Sequence, residues 1–106
     1  MSRWKKKGTG KARVTGDNAE RISDIIKAVA HPLRLQIIDL LCQSDERVSD
    51  MAQKLDSKQA LISQQLRILR MSGLVESCRE EGISRYTLIE PRMHDLIACV
   101  TGCKRN

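Results

Sequence analysis

The sequence predicts a mainly α-helical chain with one small β-hairpin, in the order helix, helix, helix, helix, hairpin, helix. Three observations carry that expectation. Aliphatic residues recur at helical spacing along most of the chain. Pro32, Gly73 and Pro91 fall at the breaks between these stretches. The 106 residues include one Trp, one Tyr and no Phe, so the core must be built from Leu, Ile, Val, Met and Ala. That length suits a single domain.

Residues 1–17 read as a flexible basic tail ahead of a domain spanning 18–106. The tail mixes Lys and Arg with Gly8, Gly10 and Gly16 and has too little apolar surface to pack. Such a tail can touch phosphates without reading sequence. Helical patterning starts at Asn18, where Ile22, Ile25, Ile26 and Val29 form one stripe. His31-Pro32 interrupts it, because proline lacks an N–H and disfavours helical geometry in the residue before it. Pro32 suits the first turn of a second helix, whose Leu33, Leu35, Ile37, Ile38, Leu40 and Leu41 give a wide apolar surface.

A polar turn from Gln43 to Arg47 precedes a short third helix for which Ser49 is the expected cap. Asp56-Ser57 breaks the chain again. Ser57 is the expected cap of a fourth helix, with Ile62, Leu66 and Leu69 facing inward and Ser72-Gly73 ending it. Leu74 to Cys78 and Arg85 to Ile89 then flank Glu80-Glu81-Gly82, a hairpin with glycine in its loop. Pro91 opens a last helix with Met93, Leu96, Ile97 and Val100 on one stripe.

Charge alone is a poor guide to function here. The net charge is +6, yet Arg3, Lys5, Lys6, Lys7, Lys11 and Arg13 account for all of it. Taking those six from 19 Lys/Arg leaves thirteen basic residues against 13 Asp/Glu beyond the tail. The start of the chain has no apolar stretch of the kind a signal peptide needs, and no later run approaches a membrane span. A cytoplasmic location without a membrane partner is the expectation. In that compartment Cys42, Cys78, Cys99 and Cys103 read as thiols, metal ligands or redox switches rather than structural disulfides.

Two short helices joined by a tight turn, the second followed by a β-hairpin, are what a winged helix-turn-helix requires. In that arrangement the second helix enters the major groove and the hairpin lies beside it. The outer face of the fourth helix carries Gln59, Ser63, Gln64 and Arg67, with Lys58 and Arg70 at its ends. Gln and Arg can pair with adenine and guanine edges, while Ser and Lys reach phosphates. No acidic residue lies between Ser57 and Val75.

Three stretches resemble the ArsR/SmtB family of bacterial repressors. They are Ala28-Val29-Ala30-His31-Pro32-Leu33-Arg34-Leu35-Gln36-Ile37-Ile38, Ser63-Gln64-Gln65-Leu66-Arg67-Ile68-Leu69-Arg70-Met71-Ser72-Gly73-Leu74-Val75, and Tyr86-Thr87-Leu88. The resemblance spans about residues 18–103. It implies a symmetric homodimer built from the first and last helices, an inverted-repeat operator in double-stranded DNA, and an effector whose binding releases that DNA. By motif position Lys58, Gln59, Ser63, Gln64 and Arg67 become the DNA-facing set. Gln65 stands where the family often has His, and Cys78 stands where the hairpin often has an Arg. Glu80 and Glu81 make this hairpin less basic than usual.

The resemblance also frames the cysteines. Many relatives bind arsenic, cadmium or lead through paired cysteines at the start of the third helix, but this chain has Arg47-Val48-Ser49-Asp50-Met51 there. Others bind zinc, cobalt or nickel on the last helix, near positions held here by Glu90, Arg92, Cys103 and Asn106, of which Arg92 and Asn106 are poor ligands. One branch senses persulfides or oxidants through one cysteine on the second helix and one on the last. Cys42, Cys99 and Cys103 are therefore the candidate sensing residues. If the last helix continues through them, Cys99 and Cys103 have Cβ atoms about 5–6 Å apart, beyond the roughly 3.5–4.5 Å of a disulfide. Sharing a soft metal or metalloid ion such as As(III) would strain them less, although no cofactor is required.

Other roles for these residues stay open. The cysteines can be structural in a constitutive regulator, and Cys42 sits on the apolar side of its helix. A small cysteine-based metal-binding protein would use Cys99 and Cys103 but leaves the polar face of the fourth helix without a purpose. Enzymatic activity is not expected, because no cysteine has a base and an electrophile-stabilising group grouped with it. His31 and His94 read as a capping and a surface histidine.

Overall fold

The computed structural model describes residues 10–102. Its elements are α1 (Gly16–Val29), α2 (Pro32–Gln43), α3 (Val48–Lys54), α4 (Gln59–Met71), β1 (Val75–Glu80), β2 (Ile83–Leu88) and α5 (Arg92–Thr101). The order and type of every element match the expectation. Several ends differ, each for a local reason.

α1 begins two residues before Asn18. The Asn18 Oδ1 accepts the Thr15 N–H at 2.8 Å, so Asn18 supports the start from inside the first turn instead of marking it. His31 caps α2, its Nδ1 accepting from the Leu33 N–H at 3.2 Å with Pro32 in the first turn. Ser49 does not cap α3. Arg47 holds that position and pairs with Asp50 at 3.1 Å, placing a carboxylate near the positive helix end. Ser57 does not cap α4 either; its N–H donates to the Ala52 carbonyl at 2.9 Å, which keeps it in the turn and leaves Lys58 as the cap.

α4 stops through a Schellman arrangement. The Gly73 N–H bonds to the Arg70 carbonyl at 3.0 Å and the Leu74 N–H to that of Leu69 at 3.0 Å. Gly73 takes a φ of +77°, which a side chain would resist. The strands that follow are longer towards their turn than the sequence suggested. Pairing runs antiparallel from Val75↔Leu88 to Glu80↔Ile83, leaving a two-residue turn of Glu81 (φ +52°) and Gly82 (φ +78°). Positive φ at both positions is the type I′ geometry that suits the twist of paired strands.

The core is aliphatic, as the composition requires. Ile37, Ile38, Met51, Ile62, Leu66, Leu69 and Leu74 are fully buried, with Ile25, Val29, Met93 and Ile97 closing the side towards α1 and α5. An isolated bridge between Glu46 and Tyr86 ties the α2–α3 loop to the hairpin, with the Tyr86 N–H donating to the Glu46 carbonyl at 2.8 Å. The Glu46 side chain, nearly buried, accepts from Lys54 at 2.7 Å and from the Ser44 hydroxyl at 3.1 Å. The hairpin is thus fixed to the helix-turn-helix through its base. Among the described residues, no helix is long and apolar enough to cross a membrane.

Candidate nucleic-acid interface

α4 divides cleanly into two faces. Ile62, Leu66 and Leu69 anchor the inner one, and Lys58, Gln59, Ser63, Gln64 and Arg67 are all exposed. None of these five side chains has an intramolecular hydrogen bond or ion pair within the described residues. Their donors and acceptors are therefore available to a partner. At about 1.5 Å of rise per residue the helix is about 20 Å long and fits a groove about 12 Å wide.

The sequence reading omitted two residues of this face. Ala60 and Met71 lie on the same outward stripe as Gln64 and Arg67, at i, i+4, i+7 and i+11 from Ala60, and Met71 is 81% exposed. A count of polar side chains could not find them; helical phase alone could. Gln65 belongs to the other side. It is buried, and its Oε1 accepts from Arg34 Nη1 at 3.0 Å.

The hairpin beside α4 has mixed charge. Glu76, Arg79, Glu80, Glu81 and Arg85 are exposed, Cys78 pairs with Arg85, and two carboxylates stand at the tip, Glu80 at the end of β1 and Glu81 in the turn. Phosphate would meet little net attraction at that tip.

The cysteines occupy different environments. Cys42 lies in α2, half-buried against the core. Burial, and then the nearby Asp39 carboxylate, push its thiol pKa up, so it stays protonated near neutral pH. Cys78 and Cys99 are exposed, on β1 and α5. Cys103 lies outside the described residues. α5 ends at Thr101, and Gly102 takes a left-handed φ of +74°.

Of the positions near which the family resemblance would put a zinc, cobalt or nickel site, Glu90 and Arg92 are described, and they bind each other. Glu90 is nearly buried, and both carboxylate oxygens accept from Arg92, Oε1 from Nη2 at 2.6 Å and Oε2 from Nε at 2.9 Å. Oε2 also accepts the Arg92 N–H at 3.1 Å. These bonds hold the Glu90 pKa down to about 2. Arg92 thus occupies the acceptor sites a cation would need. Among the described residues no cluster of three or more His, Cys, Asp or Glu side chains could hold a metal.

A second surface is built from α1 and α5. Ile22, Ile25, Ile26, Val29, Met93 and Leu96 line an apolar groove between α1 and α5. Ile26 in its wall is 58% exposed, and Val100, on α5, is 63% exposed.

A helix-turn-helix with an outward, acid-free second helix and a hairpin fixed beside it defines a winged-helix DNA-binding protein. Residues 31–77 match the family model described as bacterial regulatory protein, arsR family. Over 79 residues the chain is 37% identical to the biofilm growth-associated repressor of Agrobacterium fabrum, covering 74% of this chain and 68% of that one. The structure of HlyU from Vibrio cholerae shares the fold with a TM-score of 0.77 and 28% identity, over 83% of this chain and 96% of that one. A homodimeric winged helix-turn-helix DNA-binding domain from Mycobacterium bovis gives 0.73 and 28%, over 90% and 88%. The chain belongs to the ArsR family of bacterial transcription regulators.

Proposed function

We propose that this protein is a non-catalytic, homodimeric repressor that places α4 in the major groove of an inverted-repeat operator. The observation that carries this reading is the exposed, acid-free face of Lys58, Gln59, Ser63, Gln64 and Arg67 on a helix whose opposite side is locked into the core. Gln64 and Arg67 offer paired hydrogen bonds to bases, and Lys58 and Ser63 reach the backbone. The α1–α5 groove supports a two-fold dimer, which would place two reading helices on successive turns of one DNA face. Its DNA partner puts its work in the cytoplasm. Repression rather than activation follows the name of the Agrobacterium relative.

The test is operator binding by the Gln64→Ala/Arg67→Glu double variant. Both side chains are exposed, so the fold should stand while affinity for upstream DNA falls at least about a hundredfold. Retained binding would refute the reading.

Release of DNA is assigned to thiol chemistry, by an oxidant, a persulfide or a soft metalloid ion such as As(III). Cys42, Cys99 and Cys103 are the candidates. Exposure places Cys99 ahead of Cys42, whose packing and raised pKa slow its reactions. Under limiting iodoacetamide at pH 7.5, peptide mass spectrometry should find Cys99 alkylated well before Cys42. Release by these agents should disappear in Cys99→Ser; if no agent releases DNA from the reduced protein, the regulator is constitutive and its cysteines are structural.

A further inference from the structure

We propose that Arg34 is a positioning residue for the DNA-reading face, fixing the roll of α4 about its own axis through the hydrogen bond to Gln65. The proposal rests on α4 being the reading helix.

α4 sits on the core through Ile62, Leu66 and Leu69, all fully buried. Such contacts tolerate small rotations, because hydrophobic attraction has no direction. Gln65, a residue only 7% exposed, interrupts this stripe with a polar side chain. Its Oε1 accepts from Arg34 Nη1 at 3.0 Å, joining α2 to α4 across a separation of 31 residues. Arginine has donors and no acceptors, so the carbonyl end of Gln65 must face it. Hydrogen bonds weaken steeply as they bend, and this contact therefore resists the rotation that the aliphatic contacts permit.

Arg34 has little else to hold it. Its side chain joins no ion pair among the described residues, and its buried Nε has no hydrogen-bond partner. Leaving a buried donor unpaired is unfavourable. The guanidinium is thus not oriented to satisfy its own donors; it is oriented to reach Gln65.

Gln65 directly follows Ser63 and Gln64 and precedes Arg67 by two residues, so the helix passes any roll on to the reading side chains. With side-chain tips about 5–6 Å from the axis, a roll of about 20° moves them about 2 Å. That is enough to break a paired hydrogen bond to a base edge, while contacts to phosphate adapt. Loss of the link should lower selectivity more than general affinity.

Wild-type protein is first used to enrich duplexes from a random DNA library. The enriched duplex and a scrambled one of equal length and composition are then titrated with wild type, Arg34→Met, Gln65→Leu and the double variant. Each single variant should lose about tenfold in the ratio of the two affinities, and the double variant no more than either. Binding to the scrambled duplex should change less than about twofold. Gln65→Glu, which keeps an acceptor for Arg34, should retain the wild-type ratio. Melting followed by circular dichroism accompanies each variant, and Arg34→Met carries the test if Gln65→Leu does not fold. Single variants with the wild-type ratio, losses that multiply in the double variant, or equal losses on both duplexes would overturn the proposal. If wild type enriches no duplex, the reading of α4 fails and this proposal with it.

Discussion

Glu90 shows how one side chain can decide what a site excludes. Arg92 covers both of its carboxylate oxygens and contributes its N–H as well. The folded-state pKa of about 2 lies below the ordinary value of 4.5, so the bonds add stability that is complete above about pH 4.5 and disappears as pH falls towards 2. Glu90→Gln should therefore be less stable than wild type at pH 7, with the gap closing at pH 2–3, as read by urea denaturation at each pH. Residue identity made part of this legible, since Arg92 is a poor ligand whatever its geometry. The Arg34–Gln65 bond was not legible: nothing in local sequence pairs side chains 31 positions apart.

The helices and hairpin were legible because each is written in aliphatic spacing and in its breakers. Ile62, Leu66 and Leu69 give the phase of α4, and that phase correctly turned its five candidate side chains outward. Element ends were harder to read, since they depend on which nearby group takes the orphan N–H donors. Thr15 with Asn18 and Arg47 with Asp50 moved two starts. The hairpin ends depended on its turn. Sequence marked Gly82 as a loop residue, but the strands continue to Glu80 and Ile83 because Glu81 also accepts a positive φ. A Glu in that conformation is strained, whereas Asn-Gly is a favoured type I′ pair. Glu81→Asn should raise stability by about 0.5–1 kcal/mol, measured by thermal denaturation.

In the whole molecule, the reading helix and the apolar α1–α5 groove occupy separate surfaces, so DNA contact and self-association can be tested apart. Ile26, which lines that groove and is 58% exposed, is the residue to change. Ile26→Glu should yield a folded monomer by sedimentation equilibrium, with DNA affinity reduced at least about tenfold because one reading helix remains per molecule. The bridge between Glu46 and Tyr86 has a further, optical consequence. Tyr86 is the single tyrosine and the chain has no phenylalanine, so a Trp4→Leu variant would have one ultraviolet fluorophore, placed where the hairpin meets the α2–α3 loop. Its emission and near-ultraviolet dichroism would report hairpin docking alone, while far-ultraviolet signals follow the helices. Titrating DNA or a thiol reagent into that variant would show which half of the interface responds first.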